Sequence, residues 1–223
     1  TYKDENKIIR NPDRRAMTIE ELEALPLPDY ELLPIDNPYV EMPVESSRGC
    51  QFSCSFCSIP HRHNWRGLCE TEVIERVKHA KRNMKNIMRG GNILFVDDCF
   101  SMRPQRAINI LDSLHKYYGD EMKYFIEARI SNILSGKFLD QFQKSIISQM
   151  QIGVECGYDE GLKKIKKSLT IAQLYEGLKI IEEKELSSVA NLSFIDGYTW
   201  EDFSIIKNTL ETVENMIKKF YVL

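Results

Sequence analysis

No stretch of this 223-residue chain approaches the roughly 18 uninterrupted apolar residues that a membrane-spanning helix needs. The N-terminus, Thr1-Tyr2-Lys3-Asp4-Glu5-Asn6-Lys7, has no apolar core of the kind a secretory signal carries, so the cytosol is the expected location. There is no low-complexity tract, no internal repeat and no basic tail. The 30 basic and 33 acidic side chains leave a formal charge of −3, with the basic residues spread along the chain. That balance speaks against a nucleic-acid substrate. At 43% hydrophobic and 28% charged, the composition is that of a chain able to bury one sizeable core. What the sequence does have is cysteine: six residues, three of them crowded into eight positions, with no secretory signal. Such a pattern favours reduced thiols and metal ligation over a disulfide framework.

Residues 1–38 are polar and then punctuated by Pro26, Pro28, Pro34 and Pro38 around one short helical run from Thr18 to Leu25, which reads as an extended connector. From residue 39 to 223, short apolar runs alternate with helical patterns, the signature of an α/β domain with a parallel sheet, either open or closed into a barrel. Strands are expected near 41–47, 92–97, 123–128, 149–154 and 189–195, with Phe220 to Leu223 opening a sixth. The helices between them carry apolar stripes: Val73, Val77, Ala80 and Met84, then Ala107, Ile110, Leu111, Leu114 and Tyr118. Two more stripes are Ile171, Leu174, Leu178 and Ile181, and Ile206, Leu210, Val213 and Ile217. Start signals are Ser101 ahead of Pro104, a capping box of Thr170 with Gln173, and Thr199 with Asp202. In either sheet architecture the reactive groups collect at the carboxyl ends of the strands.

The loop after the first strand reads Arg48-Gly49-Cys50-Gln51-Phe52-Ser53-Cys54-Ser55-Phe56-Cys57, a CxxxCxxC spacing. Three neighbouring thiolates can each take one iron of a cubane cluster and leave the fourth iron open for a substrate. The competing reading is a tetrahedral zinc site completed by Cys69, His61 or His63, although structural zinc ligands more often come as separated CxxC pairs. His61, Arg62, His63 and Trp65 follow the cysteines closely enough to touch whatever they bind, and a solvated loop with one packed tryptophan is the plainer account.

This motif, with Phe56 just before the third cysteine, resembles the radical S-adenosylmethionine (SAM) superfamily. Further segments are similar to its branch that carries a cobalamin-binding domain: Leu25 to Leu33, Ile93 to Phe100 with Asp97-Asp98, Gln151 to Gly157, Lys166 to Thr170, and Phe194 to Glu201. The resemblance implies a partial (β/α)6 TIM-like barrel in which Cys50, Cys54 and Cys57 hold a [4Fe-4S] cluster that reductively cleaves SAM. It implies cobalamin as an accompanying cofactor, a reductant such as flavodoxin or ferredoxin, and methyl transfer to an unactivated carbon of a small metabolite, natural product or peptide. Radical rearrangement, oxidation or epimerisation is the neighbouring outcome, and a non-catalytic zinc or iron-sulfur module the distant one. On this reading residues 1–38 are the connector from a preceding domain, and the core from 39 to 223 stops short of its C-terminal part.

SAM presents an ammonium, a carboxylate, ribose hydroxyls and an adenine face, so its pocket needs acidic, basic and apolar groups from several strand ends. Asp97 or Asp98 is the candidate for the ammonium, the other then capping a helix. Arg129 is assigned to the carboxylate and Glu155 to the ribose, unless these two pair with one another. Phe56 and Ile195 are placed against adenine, with core packing the simpler role for Ile195. Two departures from the branch pattern stand out. Gly197-Tyr198-Thr199-Trp200-Glu201 replaces the usual Gly-x-Pro-Gly-Glu turn, and Cys99 and Cys156 stand where small polar residues are usual. Either thiol could return a hydrogen atom to a substrate radical, or could simply be filler.

Overall fold

The computed structural model describes all residues except 13, 33–38, 60–62, 83–86, 136–137, 140–145 and 221–223. The chain opens with an antiparallel hairpin, β1 (Tyr2–Asp4) and β2 (Lys7–Ile9), and a short helix, α1 (Ile19–Glu23). Thr18 and Glu21 close a reciprocal capping box at the start of α1. The connector is therefore more than an extended linker. Leu22 of α1 sits in the main core at 1% exposure, and the carbonyls of Met17 and Leu22 accept from Arg66 and Arg76.

The remaining strands are β3 (Tyr39–Val44), the small antiparallel pair β4 (Ser47–Arg48) and β5 (Arg66–Gly67), β6 (Ile87–Phe95), β7 (Tyr124–Ala128), β8 (Ile147–Glu155) and β9 (Ala190–Phe194). The helices are α2 (Glu70–Arg82), α3 (Pro104–Tyr118), α4 (Ile130–Leu134), α5 (Asp159–Lys164), α6 (Ile171–Glu183) and α7 (Phe203–Phe220). Five strands form one all-parallel sheet in the order β3-β6-β7-β8-β9, so each strand pairs with the next after a helical crossover. That sequential order is the one a (β/α) barrel requires. It also gathers every strand's carboxyl end, and hence every following loop, on one rim.

Alternation fixes what each face does. In β7, Tyr124, Ile126 and Ala128 are buried in the core, whereas Phe125 and Glu127 point to the other face. β8 follows the same rule, with Ile152 and Val154 in the core. Phe100 and Tyr124 both stack on Phe95 in the core, with ring centroids 4.6 and 5.9 Å from it. The stripes on α2, α3 and α6 pack into this core as their spacing predicts, Met84 lying outside the described residues.

Four expectations change. Ser101 does not cap α3: it is buried in a 3-10 turn, donates to Asn132 Oδ1 at 3.0 Å, and accepts from the Arg129 N–H, while Pro104 alone starts the helix. Asp202, not Thr199, caps α7, accepting from the Ile205 N–H at 3.0 Å. On α7 the buried side chains are Thr209, Met216 and Phe220, and Leu210 and Ile217 are exposed. Thr209 turns inward because its hydroxyl faces the Gly157 N–H and its backbone lies where any side chain at 157 would go. Phe220 is the last residue of α7, so it opens no sixth strand, and residues 221–223 lie outside the described set. Among the described residues no helix is long and apolar enough to cross a membrane.

Candidate functional site

At the carboxyl rim of the sheet lies an open cavity of about 170 Å³. Cys50, Cys54 and Cys57 line it together with Phe56, Asp98, Cys99, Arg129 and Glu155. Residues not singled out from sequence line it too, among them Ile59, Glu127, Gln151, Gly153 and Lys167. Asp97, Ile195 and Cys156 do not.

The cysteine loop is held by backbone bonds. The N–H of His63 donates to the Cys50 carbonyl, that of Ser55 to the Ile165 carbonyl, and that of Cys57 to the Cys54 carbonyl. None of the three thiols is in a disulfide; Cys50 and Cys54 are buried, and Cys57 is half-buried. Burial pushes the Cys50 thiol up, against the pull of the Phe52 backbone and of the Arg129 guanidinium. Among the described residues the zinc alternative finds no fourth donor. Cys69 is exposed and bonded to Thr71, His63 is exposed beside Ser53, and His61 is outside the described residues. Among the described residues, no three donors converge on one point where a single ion would sit. Three thiols lining one cavity suit a body of several metal atoms, each taking one thiolate.

The two aspartates after β6 have separated. Asp97 is 2% exposed and accepts from the Ser46 N–H at 2.7 Å, the Ser46 hydroxyl at 2.6 Å and the Ser47 hydroxyl at 2.5 Å. Its carboxylate is thus committed to the segment leading into the cysteine loop and turned away from the cavity. Burial still pushes Asp97 up, against the pull of those hydrogen bonds. Asp98 faces the cavity and accepts from the Gly49 N–H at 2.8 Å.

Arg129 and Glu155 do not pair. The Glu155 carboxylate takes Lys167 Nζ at 3.0 Å, in a pair whose side chains are only 12% and 7% exposed. Arg129 lays its guanidinium over the Phe52 ring at 3.7 Å, donates to the Lys167 carbonyl at 2.6 Å, and brings Nη1 to 4.0 Å from Cys54 Sγ. Its Nε is buried with no protein partner.

Glu155 stands at a bulge between β8 and β9 with φ of 75°, a conformation that costs a non-glycine residue roughly 1–3 kcal/mol. Its carbonyl is held by the Ile195 N–H at 3.1 Å and the Tyr198 hydroxyl at 3.4 Å. Gly153 makes the room: a Cβ there would stand 2.2 Å from Glu155 Oε1. The unusual 197–201 turn closes on itself, Glu201 accepting from the Tyr198 N–H and from the Tyr158 hydroxyl, with Tyr198 and Trp200 stacked at 4.8 Å. Cys156 belongs to the apolar cluster under that turn, with Leu162, Ile165 and Tyr158, which removes it from the cavity. Cys99 lines the cavity, packed with Cys50 and Met102, and burial pushes its thiol up to about 11.

Glu127 is the group that sequence inspection missed most clearly. Burial, with the Asp98, Asp97 and Glu155 carboxylates adding and Lys167 opposing, pushes it up to about 7. Its signal was a carboxylate inside a strand of an otherwise apolar parallel sheet. Lys167 hid as the second of two lysines, yet Ile165 and Lys167 turn inward while Lys166 is exposed.

The family model described as the radical SAM superfamily matches residues 44–210. An uncharacterized methyltransferase of Pyrococcus horikoshii is 29% identical over 98% of this chain and 45% of its own length. The hopanoid C-3 methylase of Methylococcus capsulatus is 26% identical over 74% of this chain and 31% of its own length. The apo structure of the cobalamin-dependent SAM radical enzyme OxsB superposes with a TM-score of 0.76 at 22% identity, covering 95% of this chain and 31% of that one. The chain thus spans less than half the length of these relatives.

Proposed function

The chain belongs to the radical SAM superfamily, and from that premise we propose that Cys50, Cys54 and Cys57 hold a [4Fe-4S] cluster with SAM in the cavity beside it. The observation that carries the reading is that one cavity at the strand ends brings three cysteine thiols, none in a disulfide, together with Asp98, Glu127, Arg129, Glu155 and Lys167. Such a set offers acids to an ammonium and to hydroxyls, and bases to a carboxylate. When bound, the cluster supplies the electron that breaks the sulfonium bond of SAM, giving methionine and a 5′-deoxyadenosyl radical. The chain's own residues bind and orient. Asp98 and Glu127 take the ammonium, Arg129 and Lys167 share the carboxylate, and Glu155 accepts from the ribose hydroxyls. Phe56, 36% exposed at the cavity edge, offers an apolar face to adenine.

For the longer protein we propose cobalamin-dependent methyl transfer to an unactivated carbon of a small molecule or peptide. The methylase names of two relatives and the cobalamin named for OxsB support it. Cys99 favours a second outcome, since a thiol in the cavity can return a hydrogen atom to a substrate radical. The test is anaerobic reconstitution. About four irons per chain are expected, with most lost on changing any of Cys50, Cys54 or Cys57 to Ala, and dithionite should drive SAM to 5′-deoxyadenosine. Tight zinc without iron-sulfur absorbance would defeat the reading.

A further inference from the structure

Electron delivery requires a face on which a donor can approach the cluster, and one stretch of surface is built for this. From Ser46 to Cys69 the chain has 24 residues and no aspartate or glutamate, and from Gly161 to Tyr175 it again has none. The structure joins these two acid-free segments, through the Ser55 N–H to Ile165 carbonyl bond at 2.9 Å. Lys163 and Lys164 end α5, and Lys166 follows in a left-handed conformation with φ of 55°. Between them Ile165 and Lys167 are buried, so the three other lysines face solvent beside the cysteine loop. Glu160 offsets part of this charge, lying 3.0 Å from Lys164 Nζ.

The accessible cysteine follows Ser55 by two residues in the same loop. Cys57 is half-buried where Cys50 and Cys54 are buried, and Phe56 beside it is exposed. On the other side of the loop, exposed Arg103 lies over Trp65, which packs against Cys50, Cys99 and Met102. Lysines at a helix C-terminus are common, because they complement the helix dipole. That accounts for Lys163 and Lys164 but not for Lys166, which lies beyond the helix.

We propose that Lys163, Lys164 and Lys166, with the Ser55-Phe56-Cys57 segment, form the docking face for an acidic one-electron carrier protein. The proposal rests on the cluster reading above. One electron leaves the carrier and enters the cluster, with no bond made or broken. Because the chain as a whole carries −3, attraction depends on a local cluster of positive charge such as this one, which orients the carrier on it.

The test compares reconstituted wild type with the triple variant Lys163→Glu, Lys164→Glu and Lys166→Glu, at equal iron content. An acidic flavodoxin in its hydroquinone form is mixed with each, and bleaching of the cluster absorbance is followed by stopped flow. At low salt the variant should be reduced about tenfold or more slowly, and the two rates should converge at high salt. Reduction by photoreduced deazaflavin, a small molecule needing no docking face, should be equal. The milder pair Lys163→Gln and Lys166→Gln should fall between. Equal flavodoxin rates at low salt, or a parallel loss with deazaflavin, would overturn the docking face while leaving the cluster intact. Failure of the wild type to assemble a cluster would instead overturn the parent reading and this one with it.

Discussion

Replacing Glu127 by Gln should change how the chain's stability depends on pH, and the sign follows from the cavity. The carboxyl ordinarily titrates at 4.5 and is pushed to about 7, chiefly by burial and then by Asp98, Asp97 and Glu155. A carboxyl whose pKa is raised on folding keeps its proton in the native state over a range where the unfolded chain has lost it. Stability from that proton is fully present below 4.5, declines as pH climbs to about 7, and is gone above. At about 1.36 kcal/mol per pH unit, the interval amounts to about 3 kcal/mol. Glutamine keeps the size and removes the titration. The variant should therefore match wild type near pH 4.5 and exceed it by up to about 3 kcal/mol at pH 8. Urea denaturation of the cluster-free chain, followed by circular dichroism across that range, measures the difference, and contributions from other groups largely cancel in it. A wild-type-minus-variant difference that stays level within about 0.5 kcal/mol would refute the assignment of Glu127 as the raised group. A consequence for binding follows: a cationic ligand would draw Glu127 to its ionised form, so SAM should release a proton on binding near neutral pH.

Gly153→Ala should weaken SAM binding about tenfold or more without iron loss, because its Cβ would collide with Glu155 Oε1, and overpacking of this kind costs about 1–3 kcal/mol. In a Glu155→Ala background the same change should add little, and calorimetric titration of both tests it. Asp98→Asn should lower SAM affinity more than tenfold, a loss of about 1.5–3 kcal/mol, with the cluster retained. Asp97→Asn should instead lower stability by about 1–3 kcal/mol and reduce iron uptake, since its buried carboxylate braces Ser46 and Ser47. Identical phenotypes for these two would defeat the division of labour. Once a substrate is known, Cys99→Ala should reduce solvent-deuterium incorporation into product and Cys156→Ala should not; mass spectrometry of the product decides.

The strands were legible because a parallel sheet buried on both sides writes apolar runs into the sequence, and five of them lie where the runs predicted. The site was legible where a residue type is rare in its setting, as with three close cysteines or Glu155 ending an apolar strand. What escaped depends on rotation about an axis, which sequence spacing fixes only loosely. On α7, the 206–210–213–217 stripe and the 209–216–220 face are both at helical spacing, and the contact of Thr209 with Gly157 chose the second. Lys167 escaped for the same reason, since neighbouring lysines differ only in which way the backbone turns them.

The adjacent aspartates show how that rotation becomes function. In extended chain successive side chains point to opposite sides, so of Asp97 and Asp98 only one can face the cavity. The other is left over the segment that leads from β3 to Cys50, and there it meets Ser46 and Ser47. Asp98 in turn holds the Gly49 N–H, one residue before the first cysteine, where φ is 89°. A glycine is needed at that step because other residues rarely adopt it. The two carboxylates thus grip the chain at both ends of the stretch from Ser46 to Gly49, from inside and outside the cavity. Any change at the end of β6 is therefore transmitted to the cysteine loop, and the position of the thiols is set as much by this pair as by the loop's own backbone bonds.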